Sequence, residues 1–365
     1  MRFLRVLARA MSIGLVALGF GASDAAAAEP LSLEARIPLG EVAGRIDHLA
    51  YDSKRGRLIV AELGNNSVSI LDLDQRRVVH RIPGLKTPQG VAYLAATDTI
   101  YVAGAGDGLV LRFKADDFVE TGRTDLGDDA DNIRIDPATN QLVVGYGAGG
   151  LAVIEGVSPQ KGATKGAGPS KGETESLSSD KGITGRSRQT KGTGARFPLP
   201  VHPEGFQLDP AGRRIFVNLA GLGQVGVVDR QSGKLTATWR APGLASNFPM
   251  AVDGSGERVL VAFRSPPRLV AFDANSGAIA ATVDVCGDPD DLVADARRRR
   301  LYLTCGAGAV DVLEHEGTGY RRVGRIASGR GARTGLYVPE RERLYVAAPA
   351  SGREPAAILV FRPSP

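Results

Sequence analysis

From about residue 31 to residue 363 the chain is a succession of short apolar–polar alternations. They are separated by turns rich in Gly, Asn and Asp, and no sustained helical period appears beyond the first 28 residues. One type of run keeps returning: GRLIVAEL (56–63), DTIYVAGA (98–105), NQLVVGYG (140–147), RRIFVNLA (213–220), ERVLVAFR (257–264), RRLYLTCG (299–306) and ERLYVAAP (342–349). A shorter run precedes each, ending at Asp52, Leu94, Asp136, Asp209, Asp253, Asp295 and Pro339, with spacings of 42, 42, 73, 44, 42 and 44 residues. A period near 42 built only of strands is the mark of a repeat architecture. A third run follows, as in SVSILDL (67–73) and QVGVVDR (224–230), and then a fourth, as in RVVHRIP (77–83) and KLTATWR (234–240). Turns such as Asn275-Ser276-Gly277 supply the left-handed positions that tight hairpins need. Four antiparallel strands in each of seven repeats predict an all-β, seven-bladed β-propeller. The last repeat has only three strands, ending at 356–363, while SLEARIPL (32–39) is a spare strand at the other end. Pairing the two completes blade seven and removes two raw sheet edges.

The pattern also divides the chain. Residues 1–28 combine Arg2, Arg5 and Arg9 with a short apolar stretch and Ala26-Ala27-Ala28, which reads as a secretory signal peptide too short to span a bilayer. The propeller is expected over 29–365, exported to a bacterial periplasm, monomeric and without a membrane span. The one long interval comes from 157–196, rich in Gly, Ser, Thr and Lys-Gly pairs. With so little apolar surface it is expected to be a disordered basic insert in blade 3.

Charge then has to be read by segment. The formal net charge of +5 suggests a nucleic-acid partner. However, 157–196 carries eight basic and three acidic residues, and 1–28 three arginines and one aspartate, which leaves the folded body slightly acidic. The insert also lacks the aromatics on which single strands stack, so nucleic acid is not the expected partner. Cys286 and Cys305 are the only cysteines. In an oxidising compartment they are most simply a disulfide; Cys-x18-Cys lacks the close spacing of an active dithiol, and metal ligation stays open as an alternative.

The LYVA-type second strands, the Val-x-Val-x-Asp third strand seen in QVGVVDR and the 42-residue period resemble the YVTN-repeat β-propeller family, over nearly the whole of 31–363 outside the insert. The resemblance implies seven blades around a channel, export in many bacterial members, and ligand- or partner-binding roles without a shared catalytic set. Some relatives accompany redox enzymes, so a periplasmic redox enzyme is one partner it implies.

Five residues before each repeat end point lie Asp47, Gln89, Asp131, Glu204, Phe248, Asp290 and Thr334. Equivalent positions in a ring of blades crowd around one axis, so these acids are expected at a common channel mouth. His48, Asn132 and Asp291 follow them directly, and Arg45, Asp129, His202, Asn247, Asp288 and Arg333 precede them. Asp47, His48, Asp131, Asn132, His202, Glu204, Asp290, Asp291 and Arg333 are therefore the candidate binding residues, for a small molecule or a protein ligand. Asp131, Glu204 and Asp290 are the candidate ligands for a hard divalent cation such as Ca²⁺. Two functions stay open: non-catalytic binding, and a metal-dependent lactonase or hydrolase in which the ion polarises a carbonyl while His48 or His202 moves protons. The two Gly-x-Gly-x-x-Gly matches, at Gly145 and Gly221, have no helix after them to meet a pyrophosphate and are read as turns.

Overall fold

The computed structural model describes residues 29–156, 189–191, 194–317 and 319–365. Seven antiparallel sheets form a closed ring. Blade 1 is built from Leu49–Asp52, Arg57–Glu62, Ser67–Asp72 and Arg77–Ile82, and blade 2 from Pro88–Leu94, Thr99–Gly104, Leu109–Lys114 and Glu120–Asp125. Blade 3 uses Ile133–Ile135, Leu142–Tyr146, Gly150–Ile154 and Arg196–Pro198; blade 4 uses Phe206–Leu208, Arg214–Leu219, Gln224–Asp229 and Leu235–Arg240. Blade 5 follows with Ala245–Val252, Arg258–Ser265, Pro267–Asp273 and Ile279–Asp284, and blade 6 with Pro289–Asp295, Arg300–Cys305, Ala309–Glu316 and Gly319–Ala327. Blade 7 takes Thr334–Val338, Arg343–Ala348 and Ala357–Pro363 from the end of the chain and Leu31–Pro38 from its beginning. That last strand pairs Ile37 with Ile358 and Leu31 with Pro363, which closes the ring as the spare strand implied.

Both faces of each blade are apolar because each packs against a neighbour. The buried side chains fall into seven clusters, one per interface between adjacent blades. Leu58 and Val60 of blade 1 meet Tyr345 and Ile358 of blade 7, for example, and Phe216 and Val227 of blade 4 meet Val261 and Phe272 of blade 5. This continuity across every interface is why a single repeat could not stand alone. Among the described residues no helix is long and apolar enough to cross a membrane.

The expected signal peptide, 1–28, lies outside the described residues, as do 157–188 and 192–193 of the insert. The strands on either side of the insert, Gly150–Ile154 and Arg196–Pro198, pair with each other in blade 3. Within the insert, Gln189–Lys191 forms a short strand parallel to the outer strand of blade 2. Cys286 and Cys305 are disulfide-bonded, tying the loop that enters blade 6 to the end of that blade's second strand.

Candidate functional site at the channel mouth

The innermost strands of blades 1 to 6 do not begin with simple alternation. In blade 1 the Asp47 amide donates to the Ala61 carbonyl while the Ala61 amide donates to the His48 carbonyl, so two residues oppose one. Asp131 and Asn132 oppose Gly145 in the same way, and Glu204 and Gly205 oppose Asn218. Register shifts in the same place interrupt the inner ladders of blades 2, 5 and 6. A β-bulge of this kind re-aims side chains. Its effect here is that successive residues (47 and 48, 131 and 132, 290 and 291) all line one central cavity of about 500 Å³.

All nine candidate binding residues line this cavity. Gln89 and Phe248, at ring positions of their own, line it too, whereas Thr334 is fully buried and Asn247 serves the scaffold instead. The Asn247 amide donates to Asn218 Oδ1 and to the Gln224 carbonyl, each at 2.8 Å, and so bridges blades 4 and 5.

Two further charged residues reach the cavity that the repeat spacing did not single out. Arg264 ends the apolar run VLVAF in blade 5, a lone charge that was the available signal. Its Nε donates to the Pro289 carbonyl at 3.0 Å, it pairs with Asp288 and Asp290, and its guanidinium lies 3.6 Å from the centre of the Phe248 ring. Arg134 lies deeper in the channel, on the inner strand of blade 3. It donates to the Ile133 carbonyl and has no ion pair among the described residues. Burial lowers its pKa, opposed by the more distant carboxylates of Asp291 and Asp131.

Around the mouth the acids fall into two groups. On the side of blades 5, 6, 7 and 1, each carboxylate has a cationic or polar partner. Asp288 bridges Arg264 at 3.0 Å and Arg333 at 2.8 Å, Asp290 pairs with Arg264, and Asp47 pairs with Arg45 at 2.9 Å. Asp291 accepts the Gly335 amide at 3.0 Å and faces His48 Nδ1 at 3.9 Å. Burial still dominates here. It pushes Asp47 well above the usual carboxylate range against the pull of Arg45, raises Asp290 against Arg264, and lifts Asp291 to about 6.

On the side of blades 3 and 4 no arginine or lysine forms an ion pair with Asp129, Asp131 or Glu204 among the described residues. Their cationic neighbour is His202, which stands 3.3 Å from Asp129 and 3.7 Å from Asp131. The facing Asp131 carboxylate, ahead of the opposing effect of burial, pushes His202 up to about 9. Burial raises Glu204, and the like charge of Asp131 adds to it.

The cation ligands expected from the ring positions alone are redistributed by this geometry. Donor atoms of Asp131, Glu204 and His202 lie within 4.8 Å of one another, while Asp290 is engaged by Arg264. The trio that converges therefore contains an imidazole in place of the third carboxylate.

The fold is similar to that of several solved structures. A hydrazine synthase of Kuenenia stuttgartiensis aligns with a TM-score of 0.69 at 15% identity, covering 96% of this chain and 99% of that one. A chain of a mitotic checkpoint complex aligns at 0.71 and 12% identity, covering 98% of both. The β-propeller domain of Cps50 (Swd1) from Myceliophteria thermophila aligns at 0.64 and 12% identity, over 92% of this chain and all of that one. No protein-family model matches the chain, and no curated protein matches it in sequence. At these identities the likeness establishes the propeller fold and nothing finer.

Proposed function

We infer that this is an exported, non-catalytic propeller of the YVTN-repeat type whose channel mouth binds a small, positively charged ligand. The observation that carries this reading is the charge imbalance within one cavity. Among the described residues Asp129, Asp131 and Glu204 share only His202 and form no ion pair with an arginine or lysine, while across the mouth Asp47, Asp288 and Asp290 each pair with an arginine. A polar cavity of about 500 Å³ has the size of a small-molecule site, and three carboxylates that share a single imidazole favour a ligand that brings further positive charge. Export and a periplasmic location follow from the leader-like first 28 residues and agree with a disulfide in blade 6. A protein partner is the other occupant such a fold accommodates; one similar structure is titled a mitotic checkpoint complex, an assembly of chains.

The test is a thermal-shift screen of the mature protein against small cations: diamines, basic amino acids, quaternary amines and divalent metals. A saturable rise in melting temperature that disappears in Asp131→Asn and Glu204→Gln supports the reading. Stabilisation by no cation, or by cations equally in both variants, ends it.

A further inference from the structure

His202 is held in a particular way. Its Nδ1 sits 2.7 Å from the Gly147 carbonyl oxygen, which can only accept, so that nitrogen carries the proton. Deprotonated at the other nitrogen, as metal ligation requires, the ring presents the Nε2 lone pair to Asp131 Oδ2 at 3.7 Å. That is too long for a hydrogen bond, and in this tautomer both atoms are acceptors. Two lone pairs converging across such a gap are what the two sides of an ion look like: metal–ligand bonds of about 2.0–2.2 Å set neighbouring donors roughly 3–3.5 Å apart. A histidine whose other ring N–H is anchored on a backbone carbonyl is the arrangement that orients metal ligands. Glu204 completes the group, with all three donor atoms inside 4.8 Å, so modest side-chain adjustment brings them onto one point. Independently, Asn132 is only 4% exposed yet its Oδ1 has no hydrogen-bond partner among the described residues, and its Nδ2 reaches Asp131 Oδ2 at 3.5 Å. A buried amide oxygen left open beside the trio is an unmet demand for a cation or a bound water.

A simpler account would be a protonated His202 bridging Asp129 and Asp131 as an ion pair. That account leaves Glu204 without a direct ion pair among the described residues and leaves the Asn132 Oδ1 open.

We propose that Asp131, His202 and Glu204 form a three-ligand site for a first-row divalent transition ion of the Zn²⁺ type, with an open coordination position facing the channel. One imidazole and two carboxylates suit such an ion, whereas Ca²⁺ takes six to eight oxygens and gains little from a nitrogen donor. The proposal rests on the reading above that the mouth takes up positive charge, and it names that charge as a metal ion. The open position would let a small anionic or neutral molecule bind through the ion, within reach of Arg134 deeper in the channel.

The experiment is calorimetric titration of the mature, chelator-stripped protein with Zn²⁺ and separately with Ca²⁺, beside His202→Gln, Glu204→Gln, Asp131→Asn and, as a control, the exposed Asp284→Asn. The expected result is one Zn²⁺ per chain. Affinity should fall by more than about 100-fold in each of the three mouth variants, a larger loss than an outer partner gives, stay unchanged in the control, and be at least about 100-fold weaker for Ca²⁺. Zinc K-edge absorption of the loaded wild type needs no variant. A single imidazole with oxygen donors supports the site, and two imidazoles or none overturn it. Absence of Zn²⁺ binding, or equal binding in all variants, also overturns it. If Zn²⁺ fails while an organic cation stabilises the protein through Asp131 and Glu204, the metal site falls and the binding reading survives. If neither binds, both fall.

Discussion

Blades 3 and 6 present nearly the same side chains at equivalent points of the mouth. Asp129, Asp131 and Asn132 in one correspond to Asp288, Asp290 and Asp291 in the other, and even the backbone matches, with Asp129 and Asp288 both left-handed at φ 41° and 56°. Their surroundings differ. Arg264 from blade 5 and Arg333 from the loop entering blade 7 close on the acids of blade 6, and the disulfide pins the loop that carries them. The acids of blade 3 receive only His202, together with another acid, Glu204. A position in the repeat thus fixes where a carboxylate stands; the neighbouring blade decides whether it is a scaffold member or an open ligand. Blade 6 is the compensated version of a site that blade 3 leaves open.

The largest expected effect comes from removing that compensation. Arg264→Met leaves Asp288 with Arg333 alone and Asp290 without its cation, and losing one partner of a buried pair costs about 4 kcal/mol. Urea unfolding should show that loss; a change under about 1 kcal/mol would mean the two halves of the mouth do not differ as described. Next comes the disulfide. Cys286→Ala with Cys305→Ala removes a cross-link spanning 19 residues, with an expected loss of about 3 kcal/mol. Unchanged stability would show that the blade 6 loop is held by its ion pairs alone.

The sequence made one of these two layers readable. Counting back from Asp52, Asp136 and Asp295 finds Asp47, Asp131 and Asp290 because the backbone repeats, and the repeat period carries the ring closure with it. The bulge is harder to see, since strict alternation would send Asp131 and Asn132 to opposite faces and nothing in the apolar pattern marks the extra residue. Partner choice was not readable at all. Arg264 meets Asp290 across a blade boundary, Arg134 points into the channel from the middle of a strand, and Asn247 stands near the start of the inner strand of blade 5 yet turns inward to Asn218. Such pairings depend on how two blades abut, and a period measured along one chain says nothing about that.

A smaller effect converts part of blade 6 into blade 3. Asp291 occupies the position that Asn132 holds, and burial lifts its carboxyl to about 6. A folded pKa raised above the unfolded value means that the protein is favoured while the group is protonated. Stability on this account is complete below about 3.8 and is lost as pH rises through 6. His48 and Arg134 work against the shift and Asp290 adds to it. Asp291→Asn keeps an oxygen to accept the Gly335 amide and abolishes the ionisation. It should stabilise the protein by up to about 3 kcal/mol at pH 8 and by well under about 1 kcal/mol near pH 4. Equal effects at both pH values would assign the change to packing instead.

The smallest effect is also the one that separates open from compensated acids most directly. Glu204 is half-buried with no ion pair, so Glu204→Gln should raise the stability of chelator-treated protein by about 1 kcal/mol. In blade 6 the comparable change, Asp290→Asn, gains the same relief from burial but takes a partner from Arg264, so it should stabilise less or not at all. Adding Zn²⁺ should then reverse the order at blade 4: an ion that binds the folded state at about 100 times its Kd adds about 2.7 kcal/mol to the wild type and far less to the variant. Melting curves of both proteins with and without the ion decide the matter. If the two curves keep the same order throughout, the unpaired acids of blades 3 and 4 are solvated channel charge rather than ligands waiting for a cation.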